Sequence, residues 1–175
     1  MKLSSEVLRS EAELAERVRA LGKEITQEYA GEELAILGVL KGAFIFLADL
    51  VRNIRLPTEI GFVESVASRR SESVTEVVFS ASLRFSSTLR IEGSHLLIVE
   101  DILDTGVTLA YLCEQIQLYQ PRSIKVCSLL DKPHRRKVDF KPDYVGFQVP
   151  DKWVVGYGLD FQGKYRNLPF LTYVE

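Results

Sequence analysis

Glu100, Asp101 and Asp104 crowd the end of an apolar run in the stretch IVEDILDTGVTL, residues 98–109. Carboxylates this close repel one another and lose hydration, and both effects cost free energy. The residues that follow, Thr105, Gly106, Val107 and Thr108, supply hydroxyls, a close backbone approach and the free amides of a helix start, a set that suits a phosphate dianion. The acids cannot serve that phosphate, because they would repel it. They suit a sugar diol, whose hydroxyl protons they accept directly or through Mg²⁺. Phosphate on one side and ribose hydroxyls on the other describe half of a nucleotide.

Other readings of the acids fit less well. A helix cap after a surface turn uses one acid, or Thr105, and leaves the rest without a reason. A phosphatase of the haloacid dehalogenase type needs D-x-D-x-T, whereas two residues separate Asp101 from Asp104. A response-regulator receiver domain opens on a strand like LLIVED but needs a second apolar run ending in an aspartate. Asp143 precedes a strand and Asp151 follows Pro150, and residues 1–93 would go unused.

The elements that must position these residues read clearly from periodicity. Ser10 and Glu13 have capping-box spacing, and Leu14, Val18, Leu21 and Ile25 recur at helical intervals to about Tyr29. Leu34 to Leu40, LAILGVL, predicts a buried strand, and GAFIFLADLVRN after it a helix. Pro57 precedes a strand near Glu59 to Val66; the polar stretch 67–76 and the alternating VVFSASLRF predict a long hairpin with a mobile tip. A strand over 95–99, the acidic turn, a helix over 107–119 and a strand over 123–130 then form a βαβ unit, whose crossover is expected to be right-handed. Short strands are expected around YVGFQV and WVVGYG. The acidic turn thus falls at the carboxyl end of a parallel strand, where open α/β sheets bind ligands.

Composition narrows the class. A chain of 175 residues, 46% hydrophobic, fits one domain able to bury a core without staples. A net charge of −2 argues against a nucleic-acid or anionic-membrane partner. Cys113 and Cys127 lack zinc or disulfide spacing and read as core residues. The first residues, MKLSSEVLRSEAEL, lack the apolar segment of a signal peptide, and no apolar run reaches the roughly 18 residues of a membrane span, so a cytoplasmic protein is expected.

Four further blocks accompany the acidic loop: LGVLKGAFIFLADL, SLLDKPHRRKVDFKPDYVGF, VPDKWVVGYGLD and KYRNLP. Together, in order and spacing, they resemble the hypoxanthine-guanine branch of the purine phosphoribosyltransferases over nearly the whole chain except residues 64–92. The acidic loop alone would indicate only the superfamily that uses 5-phosphoribosyl pyrophosphate (PRPP). The resemblance implies an α/β type I phosphoribosyltransferase fold, a single domain over 1–175 with a mostly parallel central sheet flanked by helices. It also implies a small hood formed largely by the N- and C-terminal segments and an antiparallel flexible flap at about 64–92. It further implies a Mg²⁺-dependent homodimer or homotetramer that joins PRPP to a 6-oxopurine base.

Carried over by residue, the resemblance makes Leu40-Lys41-Gly42 the pyrophosphate loop, with a cis peptide after Leu40, and gives Arg166 a pyrophosphate contact. Glu100 and Asp101 would hold the ribose hydroxyls or Mg²⁺, Asp104 would be the acid/base group facing purine N7, and Thr105, Gly106, Val107 and Thr108 would bind the 5′-phosphate. Lys132 would donate to the 6-oxo group, Trp153 would stack on the base, the Val154 backbone would read its other edge, and Asp160 would serve the purine site and a second Mg²⁺. Without the resemblance, Lys132 with HRRK reads as a solvated charge run, Trp153 as packing, Asp160 as a turn acid and Arg166 as a surface ion-pair partner. His95 and His134 match no motif. The chain departs from the family at SVASRRS, residues 65–71, which lacks the Tyr of a Ser-Tyr pair; Arg69 and Arg70 are expected to replace its contacts by charge. The alternative is a non-catalytic or weakly active nucleotide-binding regulator of the same fold. Retention of Asp104, Lys132 and Trp153 favours the enzyme.

Overall fold

The structure, a computed structural model, describes residues 2–64 and 89–175. The chain begins with helix α1 (Glu11–Glu28), whose capping box forms as its sequence predicts: Ser10 Oγ accepts from the Glu13 amide, and the Glu13 carboxylate accepts from the Ser10 amide at 2.8 Å. Strand β1 (Leu34–Leu40) leads into α2 (Phe44–Val51), then β2 (Thr58–Glu64). After the undescribed stretch come β3 (His95–Leu103), α3 (Val107–Gln117), β4 (Ser123–Asp131), a short 3₁₀ turn at Pro133–Arg135, β5 (Tyr144–Gln148), β6 (Trp153–Val155) and β7 (Thr172–Val174).

Among the described residues, five strands form one sheet in the order β2-β1-β3-β4-β5, every neighbouring pair parallel. Alternation along the central strands fills two cores. Ile36, Leu97 and Val99 pack with Leu14, Leu21 and Ile25 of α1 and Phe46 and Leu50 of α2. Leu37, Leu96 and Ile98 pack on the other face with Leu109, Leu112 and Ile116 of α3. A sheet covered on both faces explains why β1 and β3 read as continuous apolar runs. At the β5 edge, Arg17 of α1 donates to the carbonyls of Val145 at 2.7 Å and Gly146 at 3.2 Å, covering acceptors an edge strand would otherwise expose.

Three differences from the sequence reading matter. Strand β3 runs four residues past Val99, so Glu100 and Asp101 stand on the strand itself. Strand β6 is only Trp153–Val155, because Gly156, Tyr157 and Gly158 all take positive φ and turn the chain away. Strand β7, which sequence pattern does not reveal, pairs antiparallel with β6, and Leu3 and Arg9 bridge to Val174 and Leu171 beside it. The hairpin expected over 67–85, with Arg69 and Arg70, lies outside the described residues.

Because all five strands run the same way, the loops after β1, β3, β4 and β5 open at one edge of the sheet. The candidate residues come from these loops and from the turn after β6.

Candidate active site

Two adjoining cavities occupy the carboxyl edge, of about 210 Å³ and 230 Å³, and they share Asp101, Ile102 and Asp104 as a common wall. The first is lined by Gly42 of the β1 loop, Glu100, and Thr105, Gly106 and Thr108 at the start of α3. The second is lined by Lys132, Trp153, Val154, Leu159 and Asp160. A larger cavity of about 560 Å³ lies at the opposite, amino end of the strands, between Glu32, Glu59, Arg90 and Arg122. Its mixed charges already pair, as in Arg122 with Glu32 at 3.3 Å, and it is far from every candidate group. The carboxyl edge therefore holds the site.

The acid pair is built under strain of charge. Burial pushes the Glu100 carboxyl well above the usual carboxylate range, and the charge of Asp101 pushes it further. Burial also raises Asp101, against the pull of the Ile102 amide, which donates to its Oδ1 at 2.8 Å, and of Arg166. Both acids thus favour a cation or a hydroxyl donor. Gly42 packs directly on this pair: a Cβ there would fall on the Asp101 carboxylate, and a Cβ on Gly158 would strike the Gly42 carbonyl. The Leu40–Lys41 peptide is cis, as the resemblance implied. Lys41 borders the cavity with its side chain 70% exposed and its Nζ 3.7 Å from Glu64.

The anion side is a helix start. Gly106, at φ 82°, caps α3 in the left-handed region, and a Cβ there would press on Arg136, Val138 and Phe140 at 3.1–3.3 Å, so it combines an unusual backbone with tight surroundings. Amides from Val107 onward begin the helix, and the hydroxyls of Thr105 and Thr108 stand beside them. The Lys137 amide donates to the Thr105 carbonyl at 2.9 Å, tying the loop to the segment after β4.

The second cavity sets an aromatic wall, Trp153, beside Lys132 and Asp160. Trp153, 56% exposed, is held by its Nε1–H, which donates to the Asp160 carbonyl at 2.9 Å, and by an edge contact with Phe161 at 5.7 Å. Lys132 is 6% exposed, and its Nζ donates to the Lys152 carbonyl at 2.8 Å, so it is no solvated charge. Asp160 accepts from Arg166 at 2.7 Å and from the Gly163 amide at 2.6 Å, while Arg166 also donates to the Gly158 carbonyl at 2.6 Å. Asp104 stands between the two cavities, its Oδ1 accepting from Arg135 Nε at 2.6 Å.

Sequence reasoning passed over the arginines of HRRK as a charge run. Arg136 is in fact 15% exposed and forms an ion pair with Asp131, itself 7% exposed, at the end of β4. It also donates to the carbonyls of Leu103 at 2.9 Å, Lys132 at 3.3 Å and Asp104, so one guanidinium joins the acidic loop to the backbone of Lys132. An aspartate closing a buried strand with an arginine five residues on was the available signal. His95 bonds Ser123 at 2.7 Å at the far end of the sheet, away from the site. Cys127 is core, and Cys113 is partly buried against the α3 side.

Residues 4–162 match the phosphoribosyl transferase domain family. The chain belongs to the phosphoribosyltransferases. Within them its relatives are hypoxanthine enzymes. It is 41% identical to the hypoxanthine phosphoribosyltransferase of Salmonella typhimurium over 98% of this chain and 96% of that one. It is 46% identical to the hypoxanthine-guanine phosphoribosyltransferase of Bacillus subtilis over 94% and 90%. A crystal structure of a hypoxanthine-guanine phosphoribosyltransferase from Bacillus anthracis, with HEPES in its active site, superposes with a TM-score of 0.88 at 40% identity, covering 99% of this chain and 100% of that one. The parallel five-stranded sheet with its small antiparallel pair is the phosphoribosyltransferase fold of these structures.

Proposed function

We propose that this phosphoribosyltransferase serves purine salvage, moving the 5-phosphoribosyl group of PRPP to N9 of hypoxanthine or guanine and releasing IMP or GMP with pyrophosphate. The observation that carries this reading is the pair of adjoining cavities, one an anion cradle with an acid pair and the other an aromatic slot with a buried lysine, divided by Asp104. A regulator without catalysis has no use for a proton-handling acid on the wall between sugar and base.

The roles follow from chemistry. Thr105, Gly106, Val107 and Thr108 bind the 5′-phosphate at the α3 start, and Glu100 and Asp101 accept from the ribose hydroxyls. As the bond from C1′ to pyrophosphate breaks, positive charge builds on the ribose ring; as the N9–C1′ bond forms, the purine gives up one proton at N7, which Asp104 accepts. Lys132 has donors and no acceptor, so it matches a 6-oxo group and rejects a 6-amino group. Trp153 stacks on the ring, and the Val154 backbone reads the edge that differs between hypoxanthine and guanine.

Among the described residues no three His, Cys, Asp or Glu side chains gather to hold a metal by themselves. That donor set still fits Mg²⁺, which takes one or two carboxylates and completes its shell with water and phosphate oxygens; Glu100 and Asp101 would hold it. Held there, the ion would supply positive charge to offset the negative charge of the leaving pyrophosphate. Asp160 would serve a second Mg²⁺ only by releasing Arg166, which frees that guanidinium, together with Lys41 and the Gly42 amide, for pyrophosphate. A small hood and a homodimer or homotetramer belong to the same reading, and the expected flap lies largely outside the described residues; among the described residues no helix is long and apolar enough to cross a membrane.

One assay tests it: purified protein with PRPP and Mg²⁺, offered hypoxanthine, guanine, xanthine and adenine, followed by absorbance. Turnover of hypoxanthine or guanine without adenine is expected. Equal use of adenine would remove Lys132 from its role, and no turnover of any base would remove the activity.

A further inference from the structure

Behind the two groups that face the purine lies a second row of charges. Asp104 gives Oδ1 to Arg135 Nε at 2.6 Å, and the same guanidinium reaches both carboxylate oxygens of Asp151 through NH1, at 3.1 and 3.2 Å. Asp151 in turn stands 3.9 Å from Lys132 Nζ. The charges alternate in sign along the row: Asp104, Arg135, Asp151, Lys132. Its ends are the two groups assigned to purine N7 and to the 6-oxo oxygen, which are neighbouring atoms on one edge of a 6-oxopurine. Its middle pair lines neither cavity.

We propose that Arg135 and Asp151 are positioning residues that set the spacing and orientation of Asp104 and Lys132 for that edge. Arg135 occupies one oxygen of Asp104 and, among the described residues, leaves Oδ2 without a hydrogen-bond partner, free for the base. Its backbone is anchored where it is needed, since the Arg135 amide donates to the Lys132 carbonyl at 3.0 Å. Three loops that the sheet brings together from distant sequence are thereby locked: the acidic loop, the 3₁₀ turn after β4 and the turn before β6. A catalytic carboxylate on an unbraced loop would sample orientations that do not meet N7, and misplacement by about an ångström costs on the order of 100-fold in rate. The proposal rests on the reading of Asp104 as the group at N7.

The test measures single-turnover rates, KM for hypoxanthine and for PRPP, and melting temperature for Arg135→Ala, Arg135→Lys, Asp151→Asn, Asp104→Asn and the double variant Arg135→Ala/Asp104→Asn. Both members of the middle pair are substantially exposed, at 42% and 52% for their side chains, so folding should survive and the melting scan verifies it. Arg135→Ala is expected to slow single turnover about 10-fold or more, with PRPP KM within about two-fold, and lysine at 135 to recover part of the loss. Asp151→Asn should raise hypoxanthine KM, because Lys132 loses its neighbour. In the Asp104→Asn background, removing Arg135 should change the rate by less than about two-fold, the mark of residues acting through one another. Wild-type turnover by Arg135→Ala, or an equal loss in both backgrounds, overturns the proposal. If Asp104→Asn itself turns over like wild type, the underlying reading of Asp104 fails instead, and the two failures are told apart.

Discussion

Asp104 and Gly42 carry opposite kinds of necessity. On the proposed reading Asp104 is chemical: Asp104→Asn keeps size and hydrogen bonding to Arg135 yet cannot hold a proton from N7. It should lower the single-turnover rate by about 100- to 10,000-fold while PRPP binding, followed by calorimetry, stays near wild type. Gly42 is steric. Because a methyl group there meets the Asp101 carboxylate, Gly42→Ala must shift either the loop after β1 or the acid pair. PRPP KM should rise about 10-fold or more, with the melting temperature little changed, and an unaltered KM would mean that the loop rearranges freely. At this scale the gathering of the acids, the threonines and Gly106 at one strand end was legible in the sequence, because they are neighbours in one short turn. Lys132 and Trp153 stood out only through the resemblance, since a lysine beside a basic run and a tryptophan opening a strand have commoner uses.

Elements deliver these residues, and the tightest joint between elements is the segment after β4. Arg136 ties Asp131 at the end of β4 to the carbonyls at the end of β3, so the acidic loop and the segment after β4 are joined through one guanidinium. Arg136→Met should cost about 3–5 kcal/mol, because it strands a buried Asp131 carboxylate, and denaturant unfolding measures it. Substituting both partners with apolar residues should recover much of that loss while leaving PRPP KM elevated, since the loop tie is still gone. Strand and helix identities were legible here from period alone: α1 from its apolar spacing and capping box, β1 from LAILGVL. The ends were not. Strand β3 continues to Leu103 because β4 pairs with it as far as Asp131, a partnership that hydrophobicity at Glu100 and Asp101 does not announce.

For the whole molecule, the acid pair makes function and stability oppose one another. Glu100 and Asp101 have raised proton affinities in the folded state, so the folded chain binds more protons than the unfolded one as pH climbs past the ordinary carboxylate range. Stability is then full below that range and falls as pH rises through the raised folded values. Glu100→Gln should therefore raise the melting temperature at neutral pH by about 2–4 °C and flatten its pH dependence, while weakening PRPP use. A variant that melts lower at neutral pH than the parent would count against a destabilising acid pair. The sequence by itself determined the α/β architecture and the strand end at which the acids and threonines gather, because periodicity and residue chemistry act locally. Tertiary structure alone decided that Arg135 and Arg136 tie the loops at the carboxyl edge together, that β7 pairs with β6 on one side and with the N-terminal residues on the other, and that Gly42 lies against Asp101. Those contacts join segments far apart in the chain, and the parallel sheet brings them to one edge only once it has formed.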